Sequence, residues 1–403
     1  MARLEPFAAI RYDDSRVELD DVVSPPYDVV GPAERAQLVA RSPYNAINIE
    51  LPAPDAERGL DAYANAERIH RSWIESGILL KDPAPALYVY RTAFRDEHGQ
   101  PRVMTGLLGA LGLDLDNAGQ VLPHEQTIPK DRKDRLTLLR STRINTSPIW
   151  GLSLAKGLSL LCTQAIGAAT ASFRAFDSGG ALHELWPVTD SQRLAEITAL
   201  VAGAPILIAD GHHRYDTACT YAGECRERNG NQPGPHDLVL AFVVELSEDE
   251  LFVGAIHRLV KGVPADRLVE LLAPFFRVEA APDDLAALPD SAPPGVIGIF
   301  TGSGFKFLYP LERLEQAAED DLDSSRLKVA LDSLPACEIT FQPGWQEAVA
   351  AVRVRRADAA FLLRPVSVAR IERVAYDGRR MAPKSTFFLP KPLTGLAFRS
   401  LDD

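Results

Sequence analysis

Two hairpin signals constrain the fold of this 403-residue chain more than any other feature of its sequence. The runs ALYVYRTAF and VMTGLLGALGL flank the polar loop RDEHGQPR, and the runs ASFRAF and ALHELWPV flank a turn at residues 177–180. Runs rich in β-branched and aromatic residues around a polar, glycine-bearing loop predict antiparallel strands. The helices predicted between these strands do not follow a regular strand–helix–strand repeat. The pattern therefore indicates an α+β fold with mixed sheets and hairpins.

The length suggests two or three domains, at about 150 residues per domain. We divide the chain into an N-terminal α+β region at residues 1–115, a central region at 116–260 and a C-terminal α/β region at 261–403.

The composition is that of a globular protein, with 46% hydrophobic and 24% charged residues. The formal net charge of −12 argues against a broad nucleic-acid surface, because affinity for phosphate backbones comes mainly from lysine and arginine. The start MARLEPFAAIRYDD has no apolar core of signal-peptide type, and no apolar run is long enough to span a membrane. We therefore expect a cytoplasmic location. The scattered cysteines favour reduced thiols over a zinc site or disulfides: Cys162, Cys219, Cys225 and Cys337.

The segment ILIADGHHRYDT concentrates acidic, imidazole and guanidinium groups at the end of a short apolar strand. Gly211 permits a tight turn with positive φ, and a helix is predicted to begin near His213. The first amides of a helix form an anion site, and Arg214 adds a permanent cation suited to phosphate. His212 and His213 can donate hydrogen bonds or pass protons near neutral pH. The turn therefore predicts a phosphate site.

Asp210, the acid of this turn, has two interpretations. Its carboxylate would repel a phosphate unless a divalent cation lay between them, so it is a candidate ligand of Mg²⁺, which typically uses one or two carboxylates. A single aspartate before a helix is more often a cap, and Arg214 would then simply pair with an acid. We favour the functional interpretation, because two adjacent histidines among eight are hard to explain by packing alone.

A second cluster lies upstream, in PHEQTIPKDRKDR. His124 and Glu125 occupy its proline-bounded first half, and Glu125 beside a basic segment suits a general base. The second half begins an amphipathic helix whose cations could neutralise phosphate charge: Lys130, Lys133 and Arg135. A solvated helix face of alternating charge explains KDRKDR equally well.

Two weaker candidates for phosphate binding lie further along the chain. His257 and Arg258 stand near the end of a strand predicted over LFVGAIHRLV, where such a pair is more often structural. Lys384 precedes two hydroxyl residues in PKSTFFLPK, a segment that fits an anion site and a surface turn equally well.

Together, these motifs resemble the family called domain of unknown function 1015, over nearly the full length of the chain. The resemblance rests on VVSPPYDVV, HEQT with KDR, ADGHHRYDTA, HRLV and APKSTFFLPKPLTGL. The family name itself carries no function.

The turn is also similar, more distantly, to the phosphate-binding box of the ParB/sulfiredoxin superfamily, and most of all to that of free-serine kinases that use ADP or ATP. This resemblance implies a central ParB/sulfiredoxin-like domain at 116–260 with N- and C-terminal additions. It implies that Glu125 deprotonates the acceptor hydroxyl, with Asp210 and His213 as further catalytic residues. The segment 147–203 makes the link between the two motifs much longer than in those kinases, so the phosphate site carries over more safely than the acceptor.

We therefore expect a phosphotransferase that uses Mg²⁺ and ATP or ADP and acts on a small hydroxylated metabolite, with free serine first. Two alternatives belong to other classes: a nucleotide-binding regulatory switch without small-molecule turnover, and a phosphoester hydrolase. DNA binding of the ParB type fits least, because the chain is acidic. The expected partners are a nucleotide and a small-molecule substrate, without nucleic acid or membrane, and a homodimer is compatible with the sequence.

Overall fold

The computed structural model describes residues 1–96, 99–123, 129–280, 295–318, 320–377, 381 and 384–402, with only the backbone described at 123 and 129–132. Contacts group the chain into two compact units, Met1–Leu251 with Pro390–Asp403, and Phe252–Leu389. This division differs from the three regions predicted from the sequence. Strands from residues 1–115 and from residues 116–260 share one sheet. The last residues of the chain, Pro390–Asp403, belong to the same unit as that sheet.

The first unit is built on a mixed sheet. The strands of the first unit are β1 (Leu4–Glu5), β2 (Ile10–Tyr12), β3 (Leu79–Lys81), β4 (Leu87–Arg95), β5 (Pro101–Gly112), β6 (Val121–Pro123), β7 (Ile144–Asn145), β8 (Ile149–Ser153), β9 (Phe173–Phe176), β10 (Leu182–Val188), β11 (Ile206–Asp210), β12 (Leu238–Glu245) and β21 (Arg399–Ser400). The main sheet has the order β6-β11-β8-β12-β5-β4-β10-β9, and β1 pairs with β5.

The pairing in this sheet confirms the predicted α+β class. The hairpins β4–β5 and β9–β10 are both antiparallel, as their sequences predicted. Strand β11 runs parallel to β6 and antiparallel to β8, while β12 runs parallel to β8 and antiparallel to β5. The sheet is therefore mixed at the strands that carry the ADGHHRYDTA motif.

Helices of the first unit cover this sheet and form its core. Side chains of the helices Leu158–Ile166, Ser191–Ala202 and His212–Arg228 join those of the central strands in one buried apolar cluster. Another helix of the first unit begins at Ala62, where the Asp61 carboxylate accepts a hydrogen bond from the Ala64 amide at 2.8 Å and caps it. The helices are α1 (Leu19–Val22), α2 (Pro32–Arg41), α3 (Ile47–Glu50), α4 (Ala62–Glu75), α5 (Pro129–Thr142), α6 (Leu158–Ile166), α7 (Ser191–Ala202) and α8 (His212–Arg228).

The second unit has its own sheet and core. Its strands are β13 (Phe252–Gly254), β14 (Ile256–Lys261), β15 (Phe276–Ala280), β16 (Ile297–Thr301), β17 (Gly304–Pro310), β18 (Glu338–Pro343), β19 (Ala359–Leu362) and β20 (Phe387–Leu389). Its helices are α9 (Ala265–Leu272), α10 (Glu312–Ala317), α11 (Asp323–Leu331), α12 (Trp345–Arg353) and α13 (Val368–Tyr376). The sheet order is β15-β17-β16-β19-β14-β18.

The prediction of a single strand over LFVGAIHRLV is wrong. The segment forms two strands, β13 and β14, because they pair with different neighbours. Strand β13 pairs with β20, whereas β14 lies between β18 and β19.

A helix needs a long apolar stretch to span a bilayer, and no helix in the described part of the chain has one.

Candidate functional site

The ADGHHRYDTA motif folds as the predicted strand, turn and helix. Strand β11 is buried up to Ala209 and ends at Asp210. Gly211 follows in the left-handed region, at φ 89° and ψ 25°, and α8 begins at His212, one residue earlier than predicted. A Cβ on Gly211 would lie 3.0 Å from Arg214 Nη2 and 3.1 Å from Ile149 Cγ2. The turn thus needs glycine both for its φ angle and for the close approach of the guanidinium.

Replacing Gly211 with alanine is expected to destabilise the first unit more than replacing Gly157 with alanine. Both glycines precede a helix at a left-handed φ, 89° and 97°, but a Cβ on Gly157 meets nothing within 4 Å. The shared backbone strain costs about 1–2 kcal/mol. Crowding of Arg214 and Ile149 adds about 1 kcal/mol at Gly211 alone. Urea unfolding of the two variants measures the difference, and equal losses would show that the contact with Arg214 has no energetic weight.

Asp210 is held between two cations. Arg214 Nη2 donates a hydrogen bond to its Oδ2 at 3.0 Å, and Lys391 Nζ lies 2.8 Å from its Oδ1. Burial alone would raise the pKa of the Asp210 carboxyl, but Lys391 and Arg214 outweigh burial and lower it to about 2. The N-cap residue of α8 is Gly211, so the helix-cap interpretation of Asp210 does not describe this turn.

The lowered pKa of Asp210 predicts a loss of stability in acid. An unfolded aspartate has a pKa of about 3.9, so the stabilising contribution of Asp210 is complete above pH 4 and is lost as the pH falls towards 2. The difference in unfolding free energy between wild type and Asp210→Asn should therefore shrink by about 2 kcal/mol from pH 5 to pH 2.5. Urea titrations at both pH values test this expectation, and a constant difference would contradict it.

Lys391 brings the two ends of the first unit to the turn. Its ammonium contacts Asp28 Oδ2 as well as Asp210 Oδ1, so one cation lies between two carboxylates. Burial lowers the pKa of Lys391, but Asp210 and Asp28 outweigh burial and raise it, so Lys391 is charged. The sequence analysis did not predict Asp28 or Lys391 as residues of the site. The signal was present, since they lie in the SPPYDVV and LPKPLTGL segments that supported the family resemblance.

Arg214 is committed to internal contacts. Its Nη1 donates to Ser147 Oγ at 2.8 Å and to the Pro148 carbonyl, while its Nη2 contacts Asp210. Its side chain is 11% exposed, and its buried Nε has no hydrogen-bond partner in the part of the chain that the structure describes. Arg214 therefore fixes the turn against the start of β8, and its predicted contact with phosphate stays a prediction.

Arg135, predicted to bind phosphate, is also buried. Its guanidinium donates to the Glu50 carbonyl at 2.7 Å and to the Asp134 carboxylate at 2.5 Å, and it lies 4.3 Å from the centre of the Tyr27 ring. Burial raises the pKa of Tyr27 to about 12, against the opposing effect of the arginines, so its hydroxyl is neutral. These contacts anchor α5 to the N-terminal segment.

A buried carboxylate links the two arginines. Ser147 Oγ accepts from Arg214 and donates to Glu50 Oε1 at 3.0 Å, while Arg135 Nη1 lies 3.9 Å from the same oxygen. Glu50, Ser147, Arg135 and Arg214 line a cavity of about 40 Å³ beside the turn. That volume suits one water molecule and not a nucleotide.

The upstream candidates lie mostly outside the described residues. His124 and Glu125 are in the segment 124–128, which falls outside them, and the side chain of Lys130 does so as well. Lys133 is exposed on α5, and His212 and His213 are half-buried in the first turn of α8.

The remaining candidates belong to the second unit, where the side chains of His257 and Arg258 have internal contacts and Lys384 is exposed. Leu363 N–H donates to His257 Nδ1 at 3.1 Å, and burial lowers the pKa of that imidazole to about 4. Arg258 donates to the carbonyls of Ile256 at 2.6 Å and Lys384 at 2.9 Å. The predicted phosphate contacts of His257, Arg258 and Lys384 stay predictions.

Metal binding at the turn would depend on two carboxylates. Within the described ranges, no three histidine, cysteine, aspartate or glutamate side chains come together as a metal site. Asp28 and Asp210 nevertheless already hold a cation, the Lys391 ammonium, between them. Two carboxylates are the set that Mg²⁺ uses when substrate phosphates supply further oxygens, so the residues present fit this ion.

Comparison with known proteins gives one family match and several similar solved structures. The profile of a family described as "Protein of unknown function (DUF1015)" matches residues 4–332. No curated protein matches. Among the solved structures similar to the chain are the following three. A conserved hypothetical protein from Pyrococcus furiosus is 14% identical, over 72% of this chain and 91% of that chain, with a TM-score of 0.38. A free serine kinase mutant in complex with ADP is 13% identical, over 70% of this chain and 87% of that chain, with a TM-score of 0.38. SbnI with a C-terminal truncation, from Staphylococcus aureus, is 14% identical, over 71% of this chain and 85% of that chain, with a TM-score of 0.39.

Proposed function

The chain belongs to the family described as protein of unknown function DUF1015, and from that premise we propose that it is a nucleotide-dependent phosphotransferase. One observation carries the proposal. A strand ends at the carboxylate of Asp210, a left-handed glycine begins a helix, and Asp28 and Lys391 meet at that carboxylate. A helix start beside a lysine and two carboxylates can hold a phosphate chain together with a divalent cation.

The charges at the turn support a requirement for Mg²⁺. Asp28 and Asp210 are balanced by Lys391 and Arg214, so these four side chains have no surplus cation for a polyphosphate. Asp28 and Asp210 would hold Mg²⁺, which supplies positive charge that neutralises the phosphate oxygens. Lys391 would then be available to contact phosphate. The first amides of α8 would bind phosphate oxygens, and His212 and His213 would donate hydrogen bonds to them.

Glu125 completes the proposed reaction as the general base. It would take the proton from the acceptor hydroxyl while that oxygen forms its bond to the transferred phosphorus, and the bond from phosphorus to the nucleotide oxygen breaks. Phosphoryl transfer depends mainly on positioning and charge stabilisation, so no covalent enzyme intermediate is needed. The resemblance of the HEQT and DGHHR motifs to free-serine kinases makes free serine the first acceptor to test, with ATP or ADP as donor.

Phosphorus NMR tests this function directly. Purified protein is incubated with Mg²⁺, ATP or ADP, and a mixture of serine and related hydroxy compounds, and a new phosphomonoester signal is expected. The signal should be absent when a chelator removes Mg²⁺. Nucleotide binding by calorimetry without any new signal would favour a regulatory switch. Release of phosphate from a phosphomonoester without nucleotide would favour a hydrolase.

A further inference from the structure

A cavity of about 400 Å³ is lined, among the described residues, by residues of the second unit alone, and none of them takes part in the proposed reaction. We propose that it is a second ligand site, which binds a phosphomonoester of a small metabolite. Its volume is within the range of small-molecule sites, about 300–1,000 Å³. Arginine and serine side chains dominate its polar lining: Arg364, Arg370, Arg373, Ser324, Ser367 and Ser385.

Arg370 brings a guanidinium to the lining of this cavity. Its Nε is buried and has no hydrogen-bond partner among the residues described. Its Nη2 contacts the carboxylate of Asp321, a side chain that is 67% exposed. Because the Asp321 carboxylate is mostly exposed, solvent screens this pair, so a phosphate can compete with Asp321 for the Arg370 guanidinium.

Arg364 is fixed in the cavity wall. Its Nε and Nη2 donate to the two oxygens of Asp323, each at 3.0 Å, and the Asp323 side chain is 6% exposed. This paired arrangement holds the guanidinium plane in one orientation before a ligand arrives. Arg373 is exposed on α13 and adds a third guanidinium. The lining carries three arginines against two aspartates, which leaves one surplus positive charge for an anion.

Two helix starts also meet at the cavity. Helix α11 begins at Asp323 and α13 begins at Val368, and each has nine residues. Ser324 in the first turn of α11 and Ala369 in the first turn of α13 both line the cavity. The positive ends of two helix dipoles therefore act on the same space, where they favour a negative group.

Hydroxyl groups make the site suited to phosphate in particular. Ser324 Oγ and Ser385 Oγ lie 3.0 Å apart and are buried. Ser385 comes from the PKSTF segment that the sequence left between an anion site and a surface turn. Donors thus approach from both helices and from this segment. The several oxygens of a phosphate can accept from all of them at once, whereas a carboxylate has only two.

Calorimetric titration of the full chain with inorganic phosphate and with glycerol 3-phosphate tests the site. Arg370→Gln should weaken binding about tenfold or more, since hydrogen bonds to charged groups contribute about 1.5–3 kcal/mol. Arg373→Gln removes an exposed cation without disturbing the core and should weaken binding severalfold. Arg267→Gln is the matched control, because Arg267 pairs with Glu270 on α9 at 62% and 67% exposure and does not line the cavity.

These variants all lie in the second unit, so their effects report on this cavity even if the first unit also binds phosphate. Wild-type affinity in both Arg370→Gln and Arg373→Gln would overturn the proposal. Binding of succinate as tightly as glycerol 3-phosphate would overturn the assignment to a phosphomonoester. If Arg370→Gln fails to fold, Arg373→Gln against Arg267→Gln decides the question.

Discussion

Replacing Glu125 with glutamine is expected to lower the rate of phosphotransfer by a factor of about 100 to 10,000, the usual contribution of a general base. Glutamine keeps the size of the side chain and its hydrogen-bonding capacity but cannot accept the acceptor's proton. Nucleotide binding should be retained, because the proposed phosphate contacts come from the turn at Gly211 and from Lys391. Phosphorus NMR gives the rate, and calorimetry gives the affinity for nucleotide.

Glu75→Gln is the matched control for this experiment. Glu75 is an exposed residue at the end of α4, and its replacement should leave the rate unchanged. An unchanged rate in Glu125→Gln would remove Glu125 from the mechanism, even if the protein proves to be a kinase. Loss of nucleotide affinity together with activity would instead assign Glu125 to binding.

Replacing Lys391 with methionine is expected to destabilise the first unit by about 3–5 kcal/mol, the usual effect of removing one partner from a buried ion pair. The Lys391 side chain is 11% exposed and pairs with both Asp28 and Asp210. Methionine preserves much of the volume and removes only the charge, so two neighbouring carboxylates lose their shared cation. The pKa of Asp210 should rise in the variant for the same reason. Urea unfolding at pH 7 measures the loss.

Lys328→Met provides the comparison for Lys391→Met. Lys328 contacts Asp332 on the surface of α11, at 62% and 60% exposure, so its replacement should change stability by no more than about 0.5 kcal/mol. The double variant Asp210→Asn with Lys391→Met should lose less than the sum of the single variants, since each single variant leaves a charge unpaired. Similar losses for Lys391→Met and Lys328→Met would show that the buried pair has no special weight.

Local sequence predicted the parts of the site that are close together in the chain. Four apolar residues, an aspartate and a glycine predicted the β11–α8 turn, and α8 begins one residue earlier than predicted. The two hairpins were equally predictable, because each depends only on neighbouring runs and the loop between them.

The roles of Arg214 and Arg135 could not be read from the sequence in this way. The local sequence around an arginine in a phosphate-binding motif is the same whether its guanidinium extends into solvent or turns towards the protein interior. Arg214 turns inward because Ser147 and Pro148 present oxygen atoms at the start of β8, and Arg135 does so because Glu50 and Tyr27 lie against it. Burial and partner contacts decide this, and both come from distant segments.

The sequence by itself determined the α+β class, the family and the strand–turn–helix with its acid, imidazoles and guanidinium, since these depend on composition and on contacts between neighbours. Only the tertiary structure decided that Asp28 and Lys391, 363 positions apart, share an ion pair at Asp210. The physical reason is that a buried charge must find an opposite charge in space, whatever its position in the chain. Such a partner is identified only when the sheet has brought the two ends of the first unit together.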